Sequence, residues 1–257
     1  TQLGRNYPVE VALTGDLKSV LGAMLAKLNS DSRIQAKTTQ QEAVSALTAK
    51  WRKEKGIESE LAQDMSTKPV HPIQVIRAMR DAMKDDDVLV CDSGFNQIWA
   101  GQYFEVRSSG RNYLGPRGFG VMGYGTPAAI SRALTTPDQN VVCLTGDGGF
   151  AMVIQELETA VRSGANLTIV VMNNSNMHFI KDNQRLFFDS RFISTDFSEL
   201  DYAEIARAFG CAGIRVESSG QLDSAFAEAM ASSKPAVIDV RIQEDAVPER
   251  VSLQSFK

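Results

Sequence analysis

Near-continuous apolar runs that alternate with stretches of helical spacing constrain this chain more than any single motif. From Lys68 onward the runs are Val88–Cys91, Val141–Thr145, Leu167–Met172, Gly213–Val216 and Ala236–Arg241. Between and around them, 72–83, 125–134, 151–163, 202–209 and 221–232 place apolar residues at helical intervals. Runs of four to six residues rich in Val, Ile and Leu are too short for buried helices and fit strands covered on both faces. Strands of that kind separated by amphipathic helices specify an α/β fold, a parallel sheet with helices on both faces. Ligands of such sheets bind outside the carboxyl ends of the strands, so those ends are where chemistry is to be sought.

The first third of the chain reads differently. Val9–Leu13 is a short apolar run, Gly15-Asp16 turns the chain, and Val20, Leu21, Met24, Leu25 and Leu28 recur at helical spacing. One strand and one helix cannot bury their own apolar faces, so 1–30 is expected to be the end of a preceding domain. From 31 to 70 the composition turns polar, which predicts a linker containing solvated helix, with Lys50–Lys55 as an exposed charged face. The regular domain is then 71–245, followed by a tail at 246–257. The chain opens without Met, as a fragment or a processed product would.

A formal net charge of -4 provides no basic field to gather nucleic acid or anionic lipid. No stretch reaches the roughly 18 unbroken apolar residues of a membrane span, and the polar opening Thr1–Asn6 lacks a signal-peptide core. Cys91, Cys143 and Cys211 are far apart and read as buried hydrophobes in a reducing, cytoplasmic setting. A small-molecule enzyme is the expected class.

The run Val141–Thr145 ends in Gly146-Asp147-Gly148-Gly149, and Leu167–Met172 ends in Asn173-Asn174. A right-handed crossover puts two such strand ends on one edge of the sheet, so Asp147 and Asn174 are expected to share a crevice. The glycines admit positive φ and a close approach of backbone N–H groups to an anion, and a helix expected to open near Phe150 aims its positive end there. A carboxylate, an amide oxygen and carbonyls are hard donors, suited to Mg²⁺ bridging protein to a diphosphate.

Gly-Asp-Gly, 24 intervening residues and Asn-Asn resembles the signature of thiamine-diphosphate enzymes. The resemblance implies that Asp147, the Asn174 side chain and the Asn176 carbonyl ligate Mg²⁺, and that Gly146, Gly148, Gly149 and Met177 belong to the cofactor site. It extends over essentially the whole chain and is similar to the group typified by the acetolactate synthase large subunit. Cys91-Asp92-Ser93-Gly94-Phe95-Asn96-Gln97-Ile98-Trp99-Ala100 resembles that group's Gly-Gln-His-Gln-x-Trp-Ala loop over the diphosphate, with Phe95 and Asn96 in place of its Gln-His pair. By this likeness Ser93, Gly94, Phe95 and Asn96 are cofactor contacts. In Gly118–Ile130 the likeness makes Gly120 a contact and Met122 the apolar prop beneath the bent cofactor, and Gln155-Glu156-Leu157-x-Thr159-Ala160 matches the helix after Gly-Asp-Gly.

The resemblance further implies a thiamine-diphosphate-binding fold, a decarboxylase or carboligase acting on a 2-oxo acid, and a glutamate supplied by a pyrimidine-binding domain that this chain lacks. The cofactor then lies between domains of two subunits, so a homodimer or larger assembly is implied; FAD, carried by some relatives, stays undecided. The rival reading is a non-catalytic module that binds the cofactor or a nucleotide. Gly118-x-Gly120-x-x-Gly123 matches the dinucleotide fingerprint but follows a loop-like stretch, which sets a nicotinamide site aside. His178 could face substrate as a catalytic group or serve packing, Asn173 could be a ligand or tie the loop, and His71 before Pro72 reads as structural.

Overall fold

The structure is a computed structural model that describes residues 4, 8–31, 39–54, 56–62 and 67–248. Most of Thr1–Asn6, the segments 32–38 and 63–66, Lys55 and the tail from 249 onward lie outside the described residues. The chain separates into two compact units, Thr1–Lys55 and Gly56–Lys257.

In the first unit, α1 (Leu17–Ser30) forms where the apolar spacing predicts a helix, and α2 (Thr39–Glu54) lies within the polar stretch. Asp16 caps α1 by accepting the Ser19 N–H at 2.9 Å. The strand expected at Val9–Leu13 is not formed. Among the described residues no strand lies beside this run to take its backbone hydrogen bonds, and its side chains stay exposed, Val11 by 75%. α1 buries none of its residues, so its apolar stripe is also uncovered.

The second unit carries the sheet. Its elements are α3 (Ile57–Ala62), α4 (Pro72–Ala82), β1 (Val88–Cys91), α5 (Phe95–Tyr103), β2 (Tyr113–Leu114), α6 (Gly125–Thr135), β3 (Val141–Gly146), α7 (Asp147–Ala151), α8 (Glu156–Ser163), β4 (Thr168–Asn173), α9 (His178–Phe187), α10 (Tyr202–Ala208), β5 (Ala212–Val216), α11 (Leu222–Met230) and β6 (Ala236–Arg241). The strands run parallel in the order β2-β1-β3-β4-β6-β5. Alternate residues serve opposite faces. Leu89, Cys91, Val142, Leu144, Val170, Met172, Ile238 and Val240 join α4, α5 and α11 on one side. Val88, Val90, Val141, Cys143, Ile169, Val171 and Val237 join α6, α8 and α10 on the other. This two-faced burial is why the strands read as unbroken apolar runs instead of alternating ones.

Three elements escape the apolar-run reading. β2 has two residues on the edge of the sheet, where no hydrophobic run is needed. α5 occupies the segment likened to a loop, and α9 a segment to which the apolar runs and helical spacings assign no element. The helix expected at 151–163 is divided, α7 starting at Asp147 and α8 at Glu156 with turns between. Among the described residues no helix is long and apolar enough to cross a membrane. All three cysteines are free and buried.

His71 caps α4, its Nδ1 accepting the Ile73 N–H at 3.3 Å, with its ring edge-on to Trp99. Burial lowers the His71 pKa from its ordinary 6.5. The neutral ring is therefore favoured in the fold, and the stability it supports is whole above pH 6.5 and declines as the unfolded chain begins to protonate below it. His71→Ala is expected to cost about 1 kcal/mol at pH 8 in urea unfolding and to flatten the decline between pH 6.5 and 5. An unchanged pH profile would count against the cap.

Candidate active site

The sheet order reverses at β1. β2 lies on one side of it and β3 on the other, so the crevice at the carboxyl ends of β1 and β3 is the topological switch point where ligands of such sheets bind. A cavity of about 490 Å³ opens there. β1 contributes Ser93 and Gly94 from just beyond its end, with Phe95 and Asn96 in the first turn of α5. β3 contributes Gly146, with Asp147, Gly148 and Gly149 in α7. β4 sends Asn174, Asn176 and Met177, and the segment before α6 supplies Gly120 and Met122. All the cofactor-site residues expected from the sequence therefore border one cavity. Gln97 and Trp99, within the motif likened to the loop over the diphosphate, border it as well, as does Arg117, which no pattern singled out.

Asp147 and Asn174 meet because β3 and β4 are adjacent, with Gly146 opposite Met172. Asp147 is 3% exposed. Its Oδ1 accepts the Gly148 N–H at 2.8 Å, while Oδ2 is buried without a partner. Burial pushes its pKa up from 3.8 to about 6, against the downward pull of the backbone N–H groups of Gly148 and of residues 174–176. Asp147 is the first residue of α7 and not its cap. Its backbone carbonyl accepts the Tyr202 hydroxyl at 3.4 Å, and the Tyr202 ring stands edge-on to the buried Phe150 beneath α7.

Asn176 donates through Nδ2 to the Asn174 carbonyl at 3.1 Å, and its Oδ1 is the second buried oxygen without a partner. Its backbone carbonyl accepts the His178 N–H at 2.9 Å, which leaves one lone pair there. Asn174 Nδ2 lies 2.9 Å from His178 Nδ1. With the amide nitrogen donating to a neutral imidazole, Asn174 Oδ1 is left for a ligand. Burial lowers the His178 pKa, which favours that neutral ring, and the ring packs edge-on to Phe95 at 4.9 Å between centroids. The contacts of His178 within the chain thus orient Asn174. Asn173 ties the loop: its Nδ2 donates to Asp239 Oδ1 and the Leu200 carbonyl, and its Oδ1 accepts from Ser175 N–H and Arg241.

The glycines act otherwise than expected. Gly146, Gly148 and Gly149 do not adopt positive φ, and the latter two are helical; in this loop pair the left-handed residue is Ser175 at φ 58°. What excludes a side chain is space. A Cβ on Gly148 would lie 2.7 Å from Met177 Sδ, and one on Gly149 would lie 2.5 Å from Asp92 Oδ2.

Asp92 is the residue that the sequence reading passed over. It is fully buried just beyond β1. It accepts the N–H groups of Ser93 at 2.7 Å, Gly123 at 3.0 Å and Tyr124 at 3.1 Å, together with the Thr145 hydroxyl at 3.1 Å. One carboxylate so joins the end of β1, the end of β3 and the turn that carries Met122. A signal was present, since Asp92 stands after its strand as Asp147 stands after β3. Asn96, expected at the diphosphate, spends its Nδ2 on the carbonyls of Asp92 and Leu144 at 2.8 and 3.2 Å. Neither its amide hydrogens nor the Phe95 ring can donate to a phosphate, so the uncapped first turn of α5 offers backbone there.

Comparisons with known proteins bear on the family and the fold. Residues 92–240 match the family model described as thiamine pyrophosphate enzyme, C-terminal TPP binding domain. The acetolactate synthase large subunit of Haemophilus influenzae is 30% identical over 246 residues, which cover 95% of this chain and 42% of that protein. The acetolactate synthase isozyme 2 large subunit of Escherichia coli is 30% identical over 244 residues, covering 95% of this chain and 42% of that one. The thiamine diphosphate-dependent 4-hydroxybenzoylformate decarboxylase of Rhodococcus jostii RHA1 superposes with a TM-score of 0.64 at 26% identity, over 68% of this chain and 33% of its own. The chain spans about two fifths of the length of the acetolactate synthases it matches. With more than half of its residues inside the matched family model, the chain belongs to the thiamine pyrophosphate enzymes and carries their C-terminal cofactor-binding domain.

Proposed function

We propose that this chain supplies the diphosphate-and-metal half of a thiamine-diphosphate and Mg²⁺-dependent enzyme that decarboxylates or ligates 2-oxo acids, as acetolactate synthase does. The observation that carries the metal reading is the pair of buried, unpartnered oxygens, Asp147 Oδ2 and Asn176 Oδ1, on loops from adjacent strands. Leaving such atoms without a partner costs about 1–3 kcal/mol each, more for a charge, and a hard cation removes that cost. Among the described residues no cluster of three or more His, Cys, Asp or Glu could hold a metal. One carboxylate with amide and carbonyl oxygens therefore fits a cation that completes its shell with phosphate and water, as Mg²⁺ does.

Asp147, Asn174 and Asn176 hold the metal in this reading. Gly148 and Gly149 let the diphosphate approach the backbone, Ser93 and the first turn of α5 border it, and Met122 lies beneath the cofactor's body. The bound cofactor contributes an electron sink for a 2-oxo acid. Phe95, Trp99 and Ile98 line the cavity with apolar surface.

Residues 71–245 form the cofactor domain in this reading, 1–30 the end of a middle domain and 31–70 the connection. The buried Ile57 and Val70 join the large unit's core from within that connection. A pyrimidine-binding domain, in a dimer or larger assembly, completes the site, and the free buried thiols suit a reducing cytoplasm. Calorimetric titration with thiamine diphosphate and Mg²⁺ in the presence of that partner domain tests the assignment. Asn174→Ala is expected to weaken binding at least about tenfold. Equal heats and affinity for parent and variant would refute it.

A further inference from the structure

The loop that carries Asn174 and Asn176 is held from behind by residues that need not touch a cofactor. Asn173, the last residue of β4, is paired in register with Arg241, the last residue of β6. One terminal nitrogen of Arg241 donates to Asn173 Oδ1 and to Ser175 Oγ, both at 2.8 Å. The same Asn173 oxygen accepts the Ser175 N–H at 3.2 Å. On its other side Asn173 is anchored to the fully buried Asp239 at 2.9 Å, which also accepts the Tyr202 N–H at 2.9 Å. Arg241 has Glu199 3.8 Å from its Nε, while the Asp239 charge is paired with Arg215 at 2.5 Å.

Ser175 has φ 58°, a conformation that costs a serine about 1 kcal/mol and persists only where its surroundings enforce it. That turn puts the amides of residues 174–176 near the Asp147 carboxylate and Asn174 beside His178. We infer that Arg241 is a positioning residue, clamping Asn173 and Ser175 so that Asn174 and Asn176 present their oxygens beside Asp147. The inference rests on the reading that these three residues bind a divalent cation. A planar guanidinium can hold two acceptors and pack at once, whereas a lysine in its place commits a single flexible ammonium.

The test is the Mg²⁺ dependence of thiamine-diphosphate binding in the intact protein. Arg241→Met is expected to raise the half-saturating Mg²⁺ concentration about 10- to 100-fold, with binding recovered at excess Mg²⁺, and Arg241→Lys to fall between. Hydrogen exchange at 174–177 without metal should quicken in the same order. An Mg²⁺ dependence unchanged in Arg241→Met, beside an Asp147→Asn control that has lost it, overturns the clamp and leaves the metal reading standing. A control that still binds Mg²⁺ like the parent overturns the metal reading, and the clamp's role in metal binding with it. Should Arg241→Met fail to fold, Arg241→Lys decides: a raised requirement supports the clamp and an unchanged one refutes it.

Discussion

Asp147→Asn is expected to abolish Mg²⁺-dependent binding of thiamine diphosphate while leaving the metal-free protein at least as stable as the parent above pH 6. The two effects have one cause. A carboxylate buried with one oxygen unpartnered is poor for the fold and good for a cation. Because burial raises the Asp147 pKa from 3.8 to about 6, the folded state holds the proton more tightly than the unfolded one. Below pH 3.8 both states are protonated and nothing is lost. As pH rises from 3.8 to about 6 the unfolded chain ionises first and stability falls, and above pH 6 the cost, about 3 kcal/mol, is complete.

An amide in the same place avoids that cost but lacks the negative charge a metal needs. Thermal unfolding of metal-free protein should therefore show the parent gaining stability as pH falls from 8 to 4, with the Asn variant flatter. Mg²⁺ with thiamine diphosphate should raise the parent's Tm at pH 8, less so below pH 6 where the proton competes, and leave the variant's Tm unmoved. Equal stabilisation of parent and variant by the ligands would remove Asp147 from the metal site.

Gly149→Ala should unfold the site from within. The added methyl would lie 2.5 Å from Asp92 Oδ2 and 3.2 Å from Thr145 Oγ1. Asp92 cannot turn aside without surrendering bonds to Ser93, Gly123, Tyr124 and Thr145, so overpacking is compounded by loss of charge-assisted hydrogen bonds. Together these cost about 3 kcal/mol or more. Gly118→Ala is the matched control, since its methyl would meet nothing within 4 Å, and it should stay within about 0.5 kcal/mol of the parent. Urea midpoints measure both. Equal midpoints for the two variants would show that the β1 end yields easily and that Asp92 is not the rigid joint inferred.

The strands and their order of chemistry could be read from the sequence because both are local properties. An unbroken apolar run records burial on two faces wherever it occurs, so Val141–Gly146 and Thr168–Asn173 lie within a residue of their expected bounds. Edge strand β2 was not legible, since two half-buried residues at a sheet edge leave no periodic trace. α5 was hidden because residues 91–100 were likened to a loop, whereas the chain turns helical from Phe95 with no side-chain cap to mark the start.

By itself the sequence determined the alternation of strand and helix, and with it the meeting of Asp147 and Asn174, since consecutive parallel strands bring their ends to one edge. Only the tertiary structure decided what surrounds that pair. Asp92 reaches partners 31, 32 and 53 residues away, and Arg241 reaches Asn173 across 68. Gly149 is constrained by a carboxylate from another strand and not by its own φ. Such contacts are set by strand register and close packing, which bring distant residues within bonding distance and leave no repeat in the chain to announce them.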